Sequence, residues 1–209
     1  MEYSFSITGL LKEAFDRSEG VKGTIVGAFI IYVIVAVLVS GVLEIFFPSA
    51  DSIINAIIQA LISAPITVPI VVGIFFLGIN HARGFEINIP SIFDYYGMMV
   101  PITITFVLMY VCIMLGFVLL IIPGIYLAIA YSFAYPLLVD KELGPWEAME
   151  LSRKTITKQW FKFFGLTLVS AIFIIVSAIP LGIGLIWSIP TVYIAYGILY
   201  QNMFDGVEV

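Results

Sequence analysis

The chain has 209 residues, of which 62% are hydrophobic and 11% are charged, and its formal net charge is −5. Soluble domains have about 45–50% apolar and about 25% charged residues, so this composition predicts a single membrane domain, residues 1–209. The acidic balance argues against nucleic acid as a partner, since that partner requires a basic face. One cysteine and one histidine exclude an internal disulfide and cannot supply the three or four ligands of a metal site.

Three short amphipathic segments precede long apolar runs, near residues 6–18, 90–96 and 145–159. In the first and third segments, apolar side chains share one face of a helix and charged side chains lie elsewhere. Helices of this kind lie in the membrane interface, where tryptophan sits at headgroup depth. We therefore predict three interfacial amphipathic helices on the cytoplasmic side.

The long apolar runs predict membrane-spanning helices. A helix needs about 20 apolar residues to cross the roughly 30 Å hydrocarbon core, and backbone groups in lipid must bond within the segment. The predicted fold is an all-α polytopic bundle of six transmembrane helices, and its three helix hairpins share a loose pattern compatible with internal repeats. The predicted crossings are 23–47, 60–82, 98–120, 124–141, 161–179 and 184–204.

The basic residues support this arrangement independently. With six crossings, all nine Lys and Arg residues fall on the side of the N-terminus, and the three opposite loops, near 48–59, 120–124 and 180–184, hold none. Cytoplasmic loops collect Lys and Arg, so both termini are expected in the cytoplasm. One crossing more or fewer before Lys162, as in a count of five or seven, would scatter these charges over both faces. The nine are Lys12, Arg17, Lys22, Arg83, Lys141, Arg153, Lys154, Lys158 and Lys162.

Arg153 interrupts the apolar face of the third interfacial helix, between Trp146 and Trp160. One interpretation stacks its guanidinium on a tryptophan, beside a lipid phosphate. The other is an inward contact with Asp140, Glu142 or a loop acid, which would lock the helix to the bundle. Both interpretations are structural, and the three residues together are candidates for binding lipid headgroups.

Two ionisable residues at helix ends are further binding candidates. Glu44 lies near the outer end of the first predicted crossing, and His81 ends the second, beside Asn80 and Arg83. Ionisable groups at membrane depth are costly and usually functional. The plainer interpretation, which we favour for both, is that each side chain reaches the membrane interface. No catalytic residue is predicted.

Residues 118–204 contain a recognisable set of elements: the Pro-Gly turn at 123–124, PLLVD at 136–140, EAMELSRK at 147–154, Pro190 and Tyr200. In these elements the chain resembles a group of prokaryotic membrane proteins that includes the YciC-like proteins and the membrane domain fused to some glycerophosphoryl diester phosphodiesterases. The resemblance implies an integral, multipass protein of the prokaryotic cytoplasmic (inner) membrane. It implies no activity, because the group has none that can be assigned, and the phosphodiesterase chemistry is not carried over because that domain is not present.

The sequence lacks enzyme motifs such as G-x-S-x-G and H-E-x-x-H, so we predict a non-enzymatic membrane protein with no cofactor and no metal. Prolines within the apolar runs favour a small pore or permeation path for ions or small solutes. Tryptophans and lysines in the interfacial helices instead favour a membrane-embedded scaffold or lipid-interacting module that binds anionic headgroups. Small-residue faces such as that of Gly73 suit packing within the chain or in a homo-oligomer.

Overall fold

The computed structural model describes residues 5–48 and 52–205, and every regular element in these ranges is helical. The predicted all-α class is therefore confirmed for the described part of the predicted domain; residues 1–4, 49–51 and 206–209 lie outside it. In chain order the helices are α1 (Ile7–Arg17), α2 (Lys22–Phe46), α3 (Ile53–Ala82), a 3₁₀ helix (Ile89–Met98), α4 (Met99–Leu119), α5 (Ile121–Ala130), α6 (Ala134–Asp140), α7 (Pro145–Thr157), α8 (Trp160–Ala178) and α9 (Leu185–Phe204).

Five helical segments are long and apolar enough to cross a membrane, so the chain is a membrane-embedded protein. The predicted sixth crossing, α9, is less apolar because it carries Ser188, Thr191 and several tyrosines. More than half of its residues are buried, so other helices rather than lipid surround much of α9. Six crossings remain a prediction. The five segments are Lys22–Phe46, Ile53–Ala82, Ile89–Leu119, Ile121–Asp140 and Trp160–Ala178.

Two predicted elements have different bounds or character in the structure. α3 begins at Ile53 rather than at 60, because Ser52 caps it by accepting a hydrogen bond from the backbone N–H of Asn55 at 3.1 Å. The interfacial helix predicted near 90–96 is a 3₁₀ helix that packs along α3. The helices predicted near 6–18 and 145–159 are present as α1 and α7.

The fourth predicted crossing, 124–141, is divided into α5 and α6 by a break at residues 131–133. Pro136 explains this break. Proline has no N–H to donate, and its ring clashes with the carbonyl four residues earlier, that of Ser132. The break turns Phe133 into the interior of the protein, where it is fully buried.

Phe133 forms the centre of an aromatic cluster. Five rings from α3, α8 and α9 surround it, all of them edge-on, an arrangement that aromatic quadrupoles favour. The break in the α5–α6 segment thus joins three other helices at one point. The five rings, with centroids between 5.6 and 6.2 Å from that of Phe133, belong to Phe75, Phe163, Tyr196, Tyr200 and Phe204.

Glycines bring α3 and α9 into backbone contact. A Cβ added to Gly78 would lie 2.3 Å from the carbonyl oxygen of Tyr193, and one added to Gly197 would lie 2.3 Å from that of Gly78. Only small residues permit such close packing between membrane helices. Gly73 likewise lies against the backbone of Ile92 in the 3₁₀ helix, so the small-residue face predicted there packs within the chain.

We expect Gly197→Ala to lower the free energy of unfolding by about 1–3 kcal/mol, the scale for overpacking a filled core. The added methyl group would meet the backbone of Gly78, which cannot move aside without separating the helices. Thermal unfolding in detergent micelles measures the effect. Gly41→Ala in α2 is the matched control, because nothing lies within 4 Å of its added Cβ; equal losses for the two variants would contradict the packing described.

Candidate functional site

The C-terminal ends of α3, α6 and α9 meet in the Arg83 cluster, which consists of Arg83, Asp140, Tyr200 and Asp205. Arg83 donates two parallel hydrogen bonds to the Asp140 carboxylate, from Nη1 to Oδ1 at 2.8 Å and from Nη2 to Oδ2 at 2.9 Å. Its Nε donates to Asp205 Oδ2 at 2.8 Å, and its Nη2 also donates to Oδ1 of the same carboxylate. Such bidentate, charge-assisted bonds are among the strongest that side chains form.

Tyr200 completes the cluster and shields it. Its hydroxyl donates to Asp140 Oδ2 at 2.9 Å, and the Arg83 guanidinium lies over its ring, 5.6 Å from the centroid. The exposed fractions of the charged side chains are 17% for Arg83, 16% for Asp140 and 30% for Asp205. Hydrogen bonds first with Asp205 and then with Asp140 raise the pKa of Arg83 above its ordinary value, so the guanidinium stays charged.

The position of Arg83 has an electrostatic reason beyond these pairs. The C-terminal end of a helix carries a partial negative charge, and three such ends converge here. A guanidinium placed among them interacts favourably with the backbone as well as with the two carboxylates. The cluster therefore fastens three helices whose final residues are far apart in the sequence.

This cluster is not among the sequence-based predictions, in which Arg83 is only a helix-end residue and Asp140 only a partner for Arg153. Two signals were available. Arg83 is the one Lys or Arg between residues 23 and 140, and Asp140 is the one acid between residues 95 and 141. Isolated opposite charges in an apolar sequence require partners, and Arg83 and Asp140 pair with each other.

Arg153 binds a different acid from the ones predicted. Its Nε and Nη2 each lie 2.7 Å from a carboxylate oxygen of Glu150, and its Nη1 lies 3.4 Å from the Tyr126 hydroxyl. The predicted inward contact with Asp140 is wrong, because Arg83 holds that carboxylate. Hydrogen bonds from Arg153 lower the pKa of Glu150 to about 2, and the same bonds raise the pKa of Arg153.

The two predicted tryptophans lie in different environments. Trp160 donates its indole N–H to the carbonyl oxygen of Tyr126 at 3.3 Å and stacks on Phe164 at 5.2 Å between centroids. Trp146, in the first turn of α7, is 59% exposed. Trp160 therefore packs between α5 and α8, whereas the side chain of Trp146 is exposed on the surface of the protein.

Ser152 attaches α7 to the break between α5 and α6. Its buried hydroxyl donates to the carbonyl oxygen of Ala130 at 2.7 Å and accepts from the backbone N–H of Phe133 at 3.1 Å. Buried backbone groups require partners, and Ser152 supplies both for the groups that the break leaves without a helical bond. The same face of α7 buries Ala148, Met149 and Ile156.

Glu44 and His81 each bind a residue of a neighbouring segment. The Glu44 carboxylate accepts a hydrogen bond from Gln59 Nε2 at 2.6 Å, and that amide also donates to the carbonyl of Phe47 at 2.6 Å. His81 Nε2 lies 2.8 Å from the carbonyl oxygen of Arg17, at the end of α1. These contacts lie near opposite ends of α3, so the structure does not bring the two predicted residues together.

The surface cavities differ in character. A cleft of about 400 Å³ lies beside His81, with Thr24 and Glu86 among its lining residues. Two apolar grooves, of about 290 and 230 Å³, lie between α2 and α3 and beside Phe29 and Tyr193. Within residues 5–48 and 52–205, no group of three or more His, Cys, Asp or Glu side chains is placed to hold a metal ion.

Comparisons with protein-family models, with curated proteins and with solved structures found no match for this chain. The resemblance to the YciC-like group therefore stays a prediction. The fold and composition define the class alone, an all-α, membrane-embedded protein.

We expect Arg83→Gln to lower the free energy of unfolding by about 3 kcal/mol, the scale for removing one partner of a buried ion pair. Two shielded carboxylates would lose their cation. Arg153→Gln also removes a bidentate pair, but that arginine is 33% exposed, and we expect a loss of about 1 kcal/mol or less. Unfolding measured in the same detergent compares the free energies of the two variants. An equal loss of stability for Arg153→Gln and Arg83→Gln would show that the Arg83 cluster does not contribute more to stability than the Arg153 pair.

We expect Ser152→Ala to destabilise the protein by roughly 2 kcal/mol, because it leaves the Phe133 N–H and the Ala130 carbonyl unpaired. Ser170→Ala is the matched control. That hydroxyl is also buried, and it has no hydrogen-bond partner among the described residues. Differential scanning fluorimetry should separate the two variants, and a Ser152 variant that melts with the control would rule out the attachment of α7 proposed here.

Proposed function

We propose that the chain is a non-enzymatic, membrane-embedded module that binds anionic lipid headgroups on the cytoplasmic side of a prokaryotic cell membrane. The observation that carries this proposal is the two-sided environment of α7. One face is buried against α4, α5 and α6 and is fastened by Ser152. The other face carries basic and aromatic side chains outward.

These outward side chains and two that follow α7 in the chain, Lys158 and Phe161, form what we call the α7 surface, defined by Trp146, Lys154, Lys158 and Phe161. The exposed fractions are 59% for Trp146, 65% for the Lys154 side chain and 83% for Phe161, and Lys158 is also exposed. Aromatic side chains favour headgroup depth, and each lysine near an anionic membrane surface contributes about 1 kcal/mol. Two acids lie near these cations: Glu150 binds Arg153 and Lys154, and Glu147 accepts a hydrogen bond from the backbone N–H of Gly144 at 3.1 Å. The three cations Arg153, Lys154 and Lys158 outnumber them by one.

A pore within one chain is less well supported. The aromatic cluster around Phe133 and the backbone contact between Gly78 and Gly197 fill the region where α3 and α9 meet. The break at Pro136 leaves backbone groups that Ser152 satisfies. A path between copies in a homo-oligomer is the alternative.

Cytoplasmic termini, and therefore an even number of crossings, are predictions that accompany this proposal. Six crossings in three hairpin repeats are what the sequence alone predicts. α3 and α9 share a pattern that supports likeness between the first and third hairpins. Thr67 and Thr191 each donate to the carbonyl four residues earlier, at 3.0 and 2.7 Å, and Gly73 and Gly197 follow at the same spacing. All nine Lys and Arg lie on one side with six crossings, and also with the five apolar segments alone, because no Lys or Arg follows Lys162 in the sequence.

We expect the purified protein to retain phosphatidylglycerol in preference to phosphatidylcholine when it is exchanged from mixed micelles and examined by native mass spectrometry. The double variant Lys154→Gln/Lys158→Gln should weaken retention of phosphatidylglycerol by at least about tenfold, since two lysines each contribute about 1 kcal/mol. The double variant Lys12→Gln/Lys141→Gln removes the same charge elsewhere and should retain the lipid.

Two outcomes would overturn the proposal. Equal retention of both lipids by the native chain would remove the basis for headgroup binding. Ion or solute flux through reconstituted liposomes, unaffected by the lysine variants, would instead support the permeation alternative.

A further inference from the structure

The ends of the bundle are defined by α3, α8 and α9. α3 and α9 both finish at the Arg83 cluster, and we call this the Arg83 end. α8 begins at the same end. Phe163, near its start, packs on Phe133 at 5.8 Å, and Phe133 packs at 5.6 Å on Phe204, the last residue of α9.

The turn between α4 and α5 lies close to the Arg83 end. Tyr126 in α5 shares a hydrogen bond of 2.6 Å between its hydroxyl and that of Thr157, and its carbonyl accepts the indole N–H of Trp160 at 3.3 Å. Trp160 is the first residue of α8. Tyr126 is six residues beyond Leu120, where the turn lies, and six helical residues span only about 9 Å.

This distance does not fit a hairpin that crosses the bilayer. A crossing pair would place its turn about 30 Å from the end at which α8 begins. The contacts of Tyr126 instead place the turn near the end of the bundle that also carries α7 and the Arg83 cluster.

The 3₁₀ helix carries the chain into the bundle before α4 brings it back. Ile92 packs against Gly73 of α3, and the Tyr96 hydroxyl donates to the carbonyl of Ile66 at 2.5 Å. Ile66 precedes Arg83 by 17 residues, about 25 Å along α3. α4 therefore starts at depth in the bundle and ends near the Arg83 end.

We propose that residues 84–140 form a re-entrant segment, which enters and leaves the membrane by the same face and does not contribute two crossings. The chain then crosses the membrane four times, through α2, α3, α8 and α9. Four is an even number, so all nine Lys and Arg residues still lie on one side. Irregular backbone is tolerated at membrane depth where protein covers it, and α3 covers the 3₁₀ helix.

The turn of this segment contacts the acyl chains of a single lipid leaflet. Residues 118–122 are uncharged and between 68 and 82% exposed. Water is an unfavourable solvent for such a continuous apolar tip, so lipid of the leaflet at the Arg83 end covers it. This inference does not depend on headgroup binding by the α7 surface.

Cysteine labelling distinguishes four crossings from six. In a Cys112→Ser background, a Gly-Ser-Cys-Ser-Gly insert is placed after Leu120, where it extends beyond the apolar tip. Lys12→Cys marks the Arg83 end, and the same insert after Gly182 marks the opposite end. Intact cells and inverted membrane vesicles are treated with a maleimide that does not cross membranes.

We expect the insert after Leu120 to react in the same preparation as Lys12→Cys. Reaction together with the insert after Gly182 would overturn the proposal. If lipid prevents labelling of the insert in both preparations, distances between spin labels in nanodiscs distinguish four crossings from six. The Leu120→Cys to Ile183→Cys distance should resemble that from Lys12→Cys to Ile183→Cys, and a markedly shorter distance would also overturn it.

Discussion

The close approach of α3 and α9 is the constraint on which the rest of the structure depends. Because Gly78 and Gly197 have no side chains, the two backbones touch and the helices finish side by side. Arg83 then lies within reach of Asp205, and its remaining donors meet Asp140. A buried ion pair of this kind is costly unless its geometry is good and its lone pairs are satisfied. The two parallel hydrogen bonds from Arg83 and the hydrogen bond from the Tyr200 hydroxyl meet this condition for the Asp140 carboxylate.

The anchored C-terminal end of α6 determines how the neighbouring helices pack. Arg83 anchors Asp140, the last residue of α6, and Pro136 prevents α5 and α6 from forming one continuous helix. The resulting break exposes backbone groups that Ser152 satisfies, and this attachment decides which face of α7 is buried. The basic and aromatic α7 surface is therefore a consequence of packing between helices, which links the stability of the bundle to its proposed contact with lipid.

The helices could be predicted from apolar runs and helical spacing, since these are local properties of the sequence. The partner of Arg153 could not be predicted correctly, because several acids lay within reach and only the fold assigns Asp140 to Arg83. The pairing of Gly78 with Gly197 depends on helix orientation, which composition does not encode. The α4–α5 hairpin shows the same limit, since apolar length predicts that a segment is able to cross but not where its turn lies.

The central claim is the backbone contact between α3 and α9, and solid-state NMR in lipid bilayers tests it most directly. In a sample with ¹³C-labelled glycine, assigned by Gly78→Ala and Gly197→Ala, the account predicts a through-space correlation between the two α-carbons. A spectrum in which both glycines are resolved but contact other residues, and not each other, would contradict it.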